Sequence, residues 1–407
     1  MADTPNVKAS VVEVWKDRSF VILWGGRLIS SLGDQIYLLA LPWLILELTS
    51  SATAVNTMNM VQLLPSFLLG FVIGVYVDRL DRKKVMIVAL CIQALLVACI
   101  PLTRTWHVLS PGILYIIGFL LGLAERFYFV AIDTAMPVLF KRHRLIAANA
   151  QLGITDNVAQ ILGPGLAGLA IGLVGAINTL ILDSFSFVFL ALAILLLPLG
   201  GYAMNRPKPR GLKMESQEAL RWLTRSGSLW AATLGIVALN LFHVSVIPLI
   251  IFYARQSLHL SAQLTGVVFV VGSLGSLAAG FTVPVLTNSI PKGKLMLWAM
   301  LPMGIAVMLF GVANSWWMLG FLIVADQAGK ALWNACYFTI RQGDTPHELL
   351  GRIASITSMI TKISILALPL WGWLADKRGT EFTFIILGLG ILITAGLLWK
   401  SPLRRAI

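Results

Sequence analysis

Long apolar runs alternate with short polar stretches along this chain, from Phe20 to Trp399. Each run has about 20 residues, the length with which an α-helix crosses the hydrocarbon core of a bilayer. A soluble fold would have to bury every run and would keep too little polar surface. The pattern therefore predicts an all-α membrane protein with twelve transmembrane helices, over residues 19–46, 53–77, 85–102, 109–139, 145–172, 176–198, 229–254, 262–287, 294–313, 316–340, 349–374 and 381–400.

Composition and charge support this interpretation. The 407 residues are 58% hydrophobic and 12% charged, whereas soluble domains carry roughly 25% charged residues. The net charge of +13 could suggest a nucleic-acid partner, but the basic residues lie in short loops. Of the 31 lysines and arginines, 23 fall at the two termini and in alternate loops, and four fall in the opposite loops. This asymmetry predicts that both termini are cytoplasmic and that no nucleic acid is bound.

A long polar stretch divides the chain into two similar halves. We predict an N-terminal six-helix bundle over 1–198, a cytoplasmic linker loop over 199–228 and a C-terminal six-helix bundle over 229–407. Pro42 and Pro248 occupy matching places in the first and seventh spans, and Arg126 precedes Lys330 by 204 residues. Pseudo-symmetric repeats of this kind indicate a substrate path between halves that move against each other.

Two motifs resemble those of the major facilitator superfamily. The loop after the second span has the superfamily's pattern of a glycine, an aspartate and basic residues, at Gly74, Asp78, Arg79, Arg82 and Lys83. The resemblance implies a conformational latch in which Asp78 caps a helix or meets an arginine. The alternative is a basic loop that serves topology alone.

The fifth span carries Gly163, Pro164 and Gly168, which resemble the glycine- and proline-rich motif of the antiporter branches. The alternative is a packing kink. Together with Ser30-Ser-Leu-Gly-Asp34 and Pro346-His-Glu-Leu-Leu-Gly-Arg352, the chain looks like the macrolide-efflux and enterobactin-exporter branch of drug:proton antiporters. This resemblance implies the major facilitator fold and proton-coupled efflux of amphipathic drugs or metabolites by alternating access.

Ionisable residues within the predicted spans are the candidate site, because each costs about 2.5–3.5 kcal/mol at the centre of a membrane helix. The candidates for proton coupling are Asp34, Glu125 and Asp156. A proton carrier needs a carboxyl whose surroundings change: low dielectric favours its neutral form, and a nearby cation favours its charged form. The other buried charges are predicted to be their partners or static ion pairs, namely Arg27, Arg126, Asp183, Asp326, Lys330 and Lys362.

Three other functions remain open. The first is export of one endogenous metabolite such as a siderophore, the second is a lysophospholipid flippase, and the third, of a different class, is an intramembrane enzyme. No HExxH, Asp-rich or GxxxxGK[ST] motif occurs, so we expect no enzyme, no metal, no cofactor and no use of ATP. The expected partners are a small amphipathic substrate and the bilayer of a bacterial-type plasma membrane, with the chain acting as a monomer.

Overall fold

The computed structural model describes residues 12–77, 79–140, 142–199, 212–346 and 349–405, and these residues are helical apart from turns and short connections. The fifteen α-helices named here are α1 Arg18–Thr49, α2 Ala52–Val77, α3 Arg82–Thr105, α4 Pro111–Leu139, α5 Arg142–Val174, α6 Ala176–Leu195, α7 Leu212–Arg225, α8 Gly227–His243, α9 Val246–Gln256, α10 Ala262–Ser289, α11 Lys292–Leu309, α12 Trp316–Asp344, α13 Leu350–Thr361, α14 Leu368–Arg378 and α15 Thr380–Trp399. Short 3₁₀ helices cover Phe310–Val312, Lys362–Ala367 and Pro402–Arg405.

The prediction of an all-α membrane protein is confirmed. Ten helical segments in the described ranges are long and apolar enough to cross a bilayer. The second and tenth predicted spans, which are not among these ten, correspond to α2 with 26 residues and α12 with 29 residues. Helix α12 carries Asp326 and Lys330 in its middle, which lowers its mean hydropathy.

Two predicted spans are interrupted, and a proline follows each interruption. The seventh span divides into α8 and α9 at Val244 and Ser245. Pro248 lacks the N–H that would bond to the Val244 carbonyl, so the helix cannot continue regularly through this point. The eleventh span passes from α13 through a 3₁₀ helix to α14, where Pro369 likewise leaves the carbonyl of Ile365 without its α-helical donor.

The predicted linker loop is partly helical, which corrects the sequence prediction for that stretch. Helix α7 occupies Leu212–Arg225, and residues 200–211 lie outside the described residues. Ala219 and Leu223 are four residues apart and share one face of α7. Both are buried in the hydrophobic cluster of the second structural unit, so this face explains why the polar stretch forms a helix.

The chain separates into two compact units. The described residues of Met1–Thr49 and Val61–Arg206 form the first, and those of Ser50–Met60 and Pro207–Ile407 form the second. In the first unit, α1 packs against α5 and α6, and α3 packs against α4 and α6. In the second unit, α12 packs against α10 and α11, and α15 packs against α8 and α11.

A carboxylate anchors the segment Ser50–Met60 within the second unit. Asp376, in α14, accepts hydrogen bonds from the hydroxyls of Ser51 and Thr53, both at 2.6 Å. It also accepts from the backbone N–H groups of Ala52 at 2.7 Å and Thr53 at 3.0 Å. These N–H groups begin α2 and have no acceptor inside their own helix. Asp376 therefore acts as the helix cap and also joins α2 to α14.

Matching turns lie before the last helix of each predicted half. Gly175 alone joins α5 to α6, with φ 80° and ψ 158°, and Gly379 alone joins α14 to α15, with φ 90° and ψ 155°. Glycine suits both places because positive φ is unfavourable for residues with a Cβ. The two glycines are 204 residues apart, the offset that also relates Arg126 to Lys330.

Candidate functional site

An ion pair joins α1 to α5 inside the first unit. The Nε and Nη2 atoms of Arg27 each lie 3.1 Å from one carboxylate oxygen of Asp156. The hydroxyl of Ser31, one turn along α1, donates to the same carboxylate at 2.7 Å. The Arg27 guanidinium also lies 5.1 Å from the centre of the Phe129 ring. The Asp156 carboxylate therefore accepts a bidentate pair of hydrogen bonds from Arg27 and a third from Ser31, an arrangement that stabilises its ionised form.

Asp34 faces the same charges but makes no hydrogen bond with any described residue. It is half-buried, seven residues after Arg27 on α1. The charged groups that act on it are Glu125, Arg27 and Asp156. The charges of Arg27, Glu125 and Asp156 thus all act on Asp34, and Arg27 bonds to Asp156 rather than to Asp34. With all three carboxyls ionised, negative charge exceeds positive charge in this set.

Arg126 points toward a different part of the first unit from the adjacent Glu125. A Cβ added at Gly70 of α2 would lie 3.4 Å from Arg126 Nε, and that buried nitrogen has no hydrogen-bond acceptor in the described part of the chain. The charge of Arg126 acts on Asp133, which our sequence analysis did not select. The sequence could have indicated this interaction, because Arg126 and Asp133 are seven residues apart and share one helix face.

Asp183 is fully buried on α6 of the first unit. The hydroxyl of Ser186 donates to its Oδ1 at 3.2 Å, and its Oδ2 has no hydrogen-bond partner in the described ranges. The negative charges of Asp34 and Glu125 also act on it. Asp183 therefore belongs to the same acidic region as the three candidates.

In the second unit, Asp326 contacts a histidine. The Nε2 of His243 lies 2.8 Å from Oδ1 of Asp326, and the two side chains are 3% and 2% exposed. Lys330 is half-buried one turn after Asp326 on α12, and Lys362 is half-buried at the start of the 3₁₀ helix before α14. His243 was not among the residues selected from the sequence. Sequence spacing could not show the contact, since 83 residues separate the pair.

The structure describes all residues of the predicted latch motif except one. Asp78 lies outside the described residues. The cap of α3 is Asp81, whose carboxylate accepts from the N–H groups of Lys83 and Lys84. The Nζ of Lys83 donates to the carbonyls of Leu195 at 2.8 Å and Leu197 at 2.7 Å, where it satisfies the free carbonyls at the end of α6. Gly74 has no neighbouring atoms that a Cβ would meet, Arg79 is exposed and Arg82 is buried.

The antiporter-like motif lies where α5 packs closely against α1. A Cβ at Gly163 would come 2.5 Å from Cγ of Gln35 and closer still to its Cβ. Gln35 is the residue after Asp34, so the motif sets how near α5 comes to the carboxyl set. Pro164 follows within α5, and Gly168 is buried one turn further along.

The sequence model of the transmembrane secretion effector family matches residues 10–406. The chain belongs to this family. Among its relatives, multidrug efflux pump Tap of Mycobacterium tuberculosis is 26% identical over 399 residues, covering 96% of this chain and 94% of Tap. Macrolide efflux protein A of Streptococcus pyogenes is 24% identical over 393 residues, covering 94% and 95%. The enterobactin exporter EntS of Citrobacter koseri is 27% identical over 350 residues, covering 79% of each chain.

The predicted resemblance to major facilitator efflux transporters is confirmed by these relatives. The fold is also that of a solved bacterial homologue of the iron transporter ferroportin in an inward-facing state, with a TM-score of 0.75, 18% identity and coverage of 94% of this chain and 99% of that chain. This member of the transmembrane secretion effector family is therefore a multi-pass membrane transporter and not an enzyme.

The packing at Gly163 generates a test of the antiporter-like motif. Gly163→Ala should lower the free energy of unfolding by about 1–3 kcal/mol. The new methyl group would meet the Cβ of Gln35, which cannot move unless α1 moves. Transport should fall as the spacing of α5 and α1 changes. Gly153→Ala is the matched control on the same helix, since nothing lies within 4 Å of a Cβ there. Thermal unfolding in detergent and transport in vesicles measure both effects, and equal behaviour of the two variants would show that the close approach is unimportant.

Proposed function

We propose that this transporter exports amphipathic drugs or metabolites by alternating access and that entry of protons drives the export. The observation that supports the proposal is the position of Asp34 in the first unit, beside the bonded pair of Arg27 and Asp156 and without a hydrogen bond to any described residue. Charge inside a membrane protein is costly unless it is paired. Binding a proton to Asp34 therefore removes a costly charge, and losing the proton restores that charge. The proton gradient would be the energy source, with no cofactor.

The contacts suggest different roles for the three carboxyls. Asp156 receives both guanidinium bonds and the Ser31 hydroxyl, so we assign it as the permanent partner of Arg27. Asp34 has no such bond and lies in the field of Glu125 and Asp156. We therefore assign Asp34 and Glu125 as the residues that gain and lose the transported proton.

Replacing the proposed carriers should separate proton coupling from substrate movement. In proteoliposomes, Asp34→Asn and Glu125→Gln should lower uptake driven by a pH gradient at least about tenfold, while exchange at equal pH stays within about twofold. Asp156→Asn should instead reduce yield and thermal stability, because it leaves Arg27 buried without its partner. The probes are erythromycin, a macrolide, and the cationic dye ethidium.

The control is Asp344→Asn, an exposed carboxyl at the end of α12. Gradient-driven uptake at the wild-type rate in both Asp34→Asn and Glu125→Gln would exclude these residues as carriers. Wild-type transport that is independent of the pH gradient would contradict the proposed coupling itself.

A second candidate function is export of one siderophore, which the similarity to the enterobactin exporter favours. A bacterial host that lacks its own pumps distinguishes the two. We expect expression of this chain to raise the inhibitory concentrations of several unrelated amphipathic compounds at least about fourfold, as a broad binding site requires. The Asp34→Asn variant at equal abundance is the control. Unchanged resistance together with altered secretion of a siderophore would favour the narrower function.

We further propose that the chain has twelve spans, that both termini are cytoplasmic and that it works as a monomer. The support is the distribution of 23 against four basic residues between alternate loops. A reporter fused after Ile407 or within 205–225 should be active in the cytoplasm, and one within 312–315 should be active outside. An external signal from a fusion within 205–225 would contradict this topology.

A further inference from the structure

The buried pair of His243 and Asp326 has no role in the function proposed so far. Two titratable side chains, each at least 96% buried, meet at 2.8 Å between α8 and α12. A contact that served packing alone would not need ionisable groups, which are expensive to bury. Histidine is also the side chain whose charge changes most readily near neutral pH. The pair therefore has the chemistry of a proton site.

The neighbouring charges allow the pair to exist with and without a proton. With one proton shared between the imidazole and the carboxyl, the pair is neutral overall. After that proton leaves, the pair carries one negative charge, and Lys330 lies one helical turn from Asp326 on α12. The charges of Lys330 and Asp326 act on each other across this short distance. The deprotonated pair thus has a cation within reach to offset its charge.

The other elements packed against α8 have few ionisable side chains near the His243–Asp326 pair. The 3₁₀ helix Lys362–Ala367 contributes Lys362. Helix α15 has none between Glu381 and Lys400, and α13 has only Arg352, near its start. Helix α7 and the 3₁₀ helix Pro402–Arg405 meet the opposite end of α8, about 24 Å from His243 along its 17 residues. Of the elements packed against α12, α10 has no ionisable side chain and α11 has only Lys292 and Lys294, at its start. The cation whose charge acts on the pair is therefore Lys330.

The pair is connected to the interruption of the seventh predicted span. His243 is the last residue of α8, and the next residues, Val244 and Ser245, form the break before α9. The Ser245 hydroxyl donates to the buried side-chain oxygen of Asn56, in the segment Ser50–Met60. The indole N–H of Trp371 donates to the carbonyl of Leu241 at 2.7 Å. A change in the His243–Asp326 contact would thus act on the backbone between Leu241 and Ser245, which is hydrogen-bonded to Trp371 and Asn56.

We propose that His243 and Asp326 form a second proton-binding site, located in the second unit, whose occupancy controls the packing at the α8–α9 break. The inference depends on the proposed proton-driven transport, since the protons are those of the same gradient. When a proton binds, the ion pair holds the end of α8 against α12. When it leaves, the contact weakens to a neutral imidazole beside a carboxylate, and the break is free to rearrange.

His243→Gln is the most informative variant. The introduced glutamine amide can still donate to Asp326, and the attraction between Asp326 and Lys330 is unchanged, but the side chain no longer takes up a proton. We expect normal yield and exchange at equal pH within about twofold of wild type, with gradient-driven uptake of erythromycin or ethidium at least about tenfold lower. His259→Asn, in an exposed turn, and Asp344→Asn are the controls. Unchanged gradient-driven uptake in His243→Gln would overturn the proposal.

A second measurement tests proton binding directly and does not depend on transport. Wild-type protein labelled with ¹⁵N-histidine contains five imidazoles, and the signal that disappears in His243→Gln belongs to His243. We expect this signal to change protonation state within the pH range in which the protein stays folded, and to behave differently in Asp326→Asn. An imidazole that stays in one state over this range would contradict the proposal, even if the variants fold poorly.

The two proposals fail in different ways. In one outcome, wild-type transport is independent of the pH gradient although His243 changes protonation state. In that case the proposed coupling is wrong, and so is the use of this pair in transport. If wild-type transport follows the gradient and His243→Gln behaves like the controls, the coupling stands and the second site is wrong.

Discussion

The cost of charge in a low-dielectric interior governs how this transporter is built. An ionisable side chain inside a membrane helix costs free energy unless a partner or water compensates its charge. Each such residue in this chain is therefore expected to have a compensating neighbour. In the first unit, Arg27 is balanced by Asp156, and further carboxyls remain around the pair. In the second unit, Asp326 is balanced by His243. Each unit therefore contains a polar set that joins its helices, and the proposed proton sites lie in these two sets.

Close helix packing gives these sets their geometry. Gly163 allows α5 to approach α1 beside Asp34, and the same two helices supply Asp156 and Arg27. In the second unit, His243 lies at the junction of α8 and α9, where Pro248 removes one backbone hydrogen bond. Small residues and prolines thus shape the helix packing beside both polar sets.

Much of the fold followed from sequence because its signals are local. Apolar runs of bilayer length predicted the helices, and the prolines at 248 and 369 were visible, although their effect on the spans was not predicted. The carboxyls of the first unit were selected because an ionisable residue is conspicuous in an apolar run. The contact between His243 and Asp326 was missed, since it depends on the rotation and depth of two helices 83 residues apart. Asp81 was overlooked as a cap for a simpler reason: the superfamily motif drew attention to Asp78.

The glycine turns at 175 and 379 have a consequence for how the protein is made. A single residue separates α5 from α6 and α14 from α15, so neither pair has a loop long enough to let one helix settle before the other emerges. We therefore expect each pair to enter the bilayer as one helical hairpin. Any residue with a Cβ at either glycine would strain this turn, and we expect it to impair insertion of the pair.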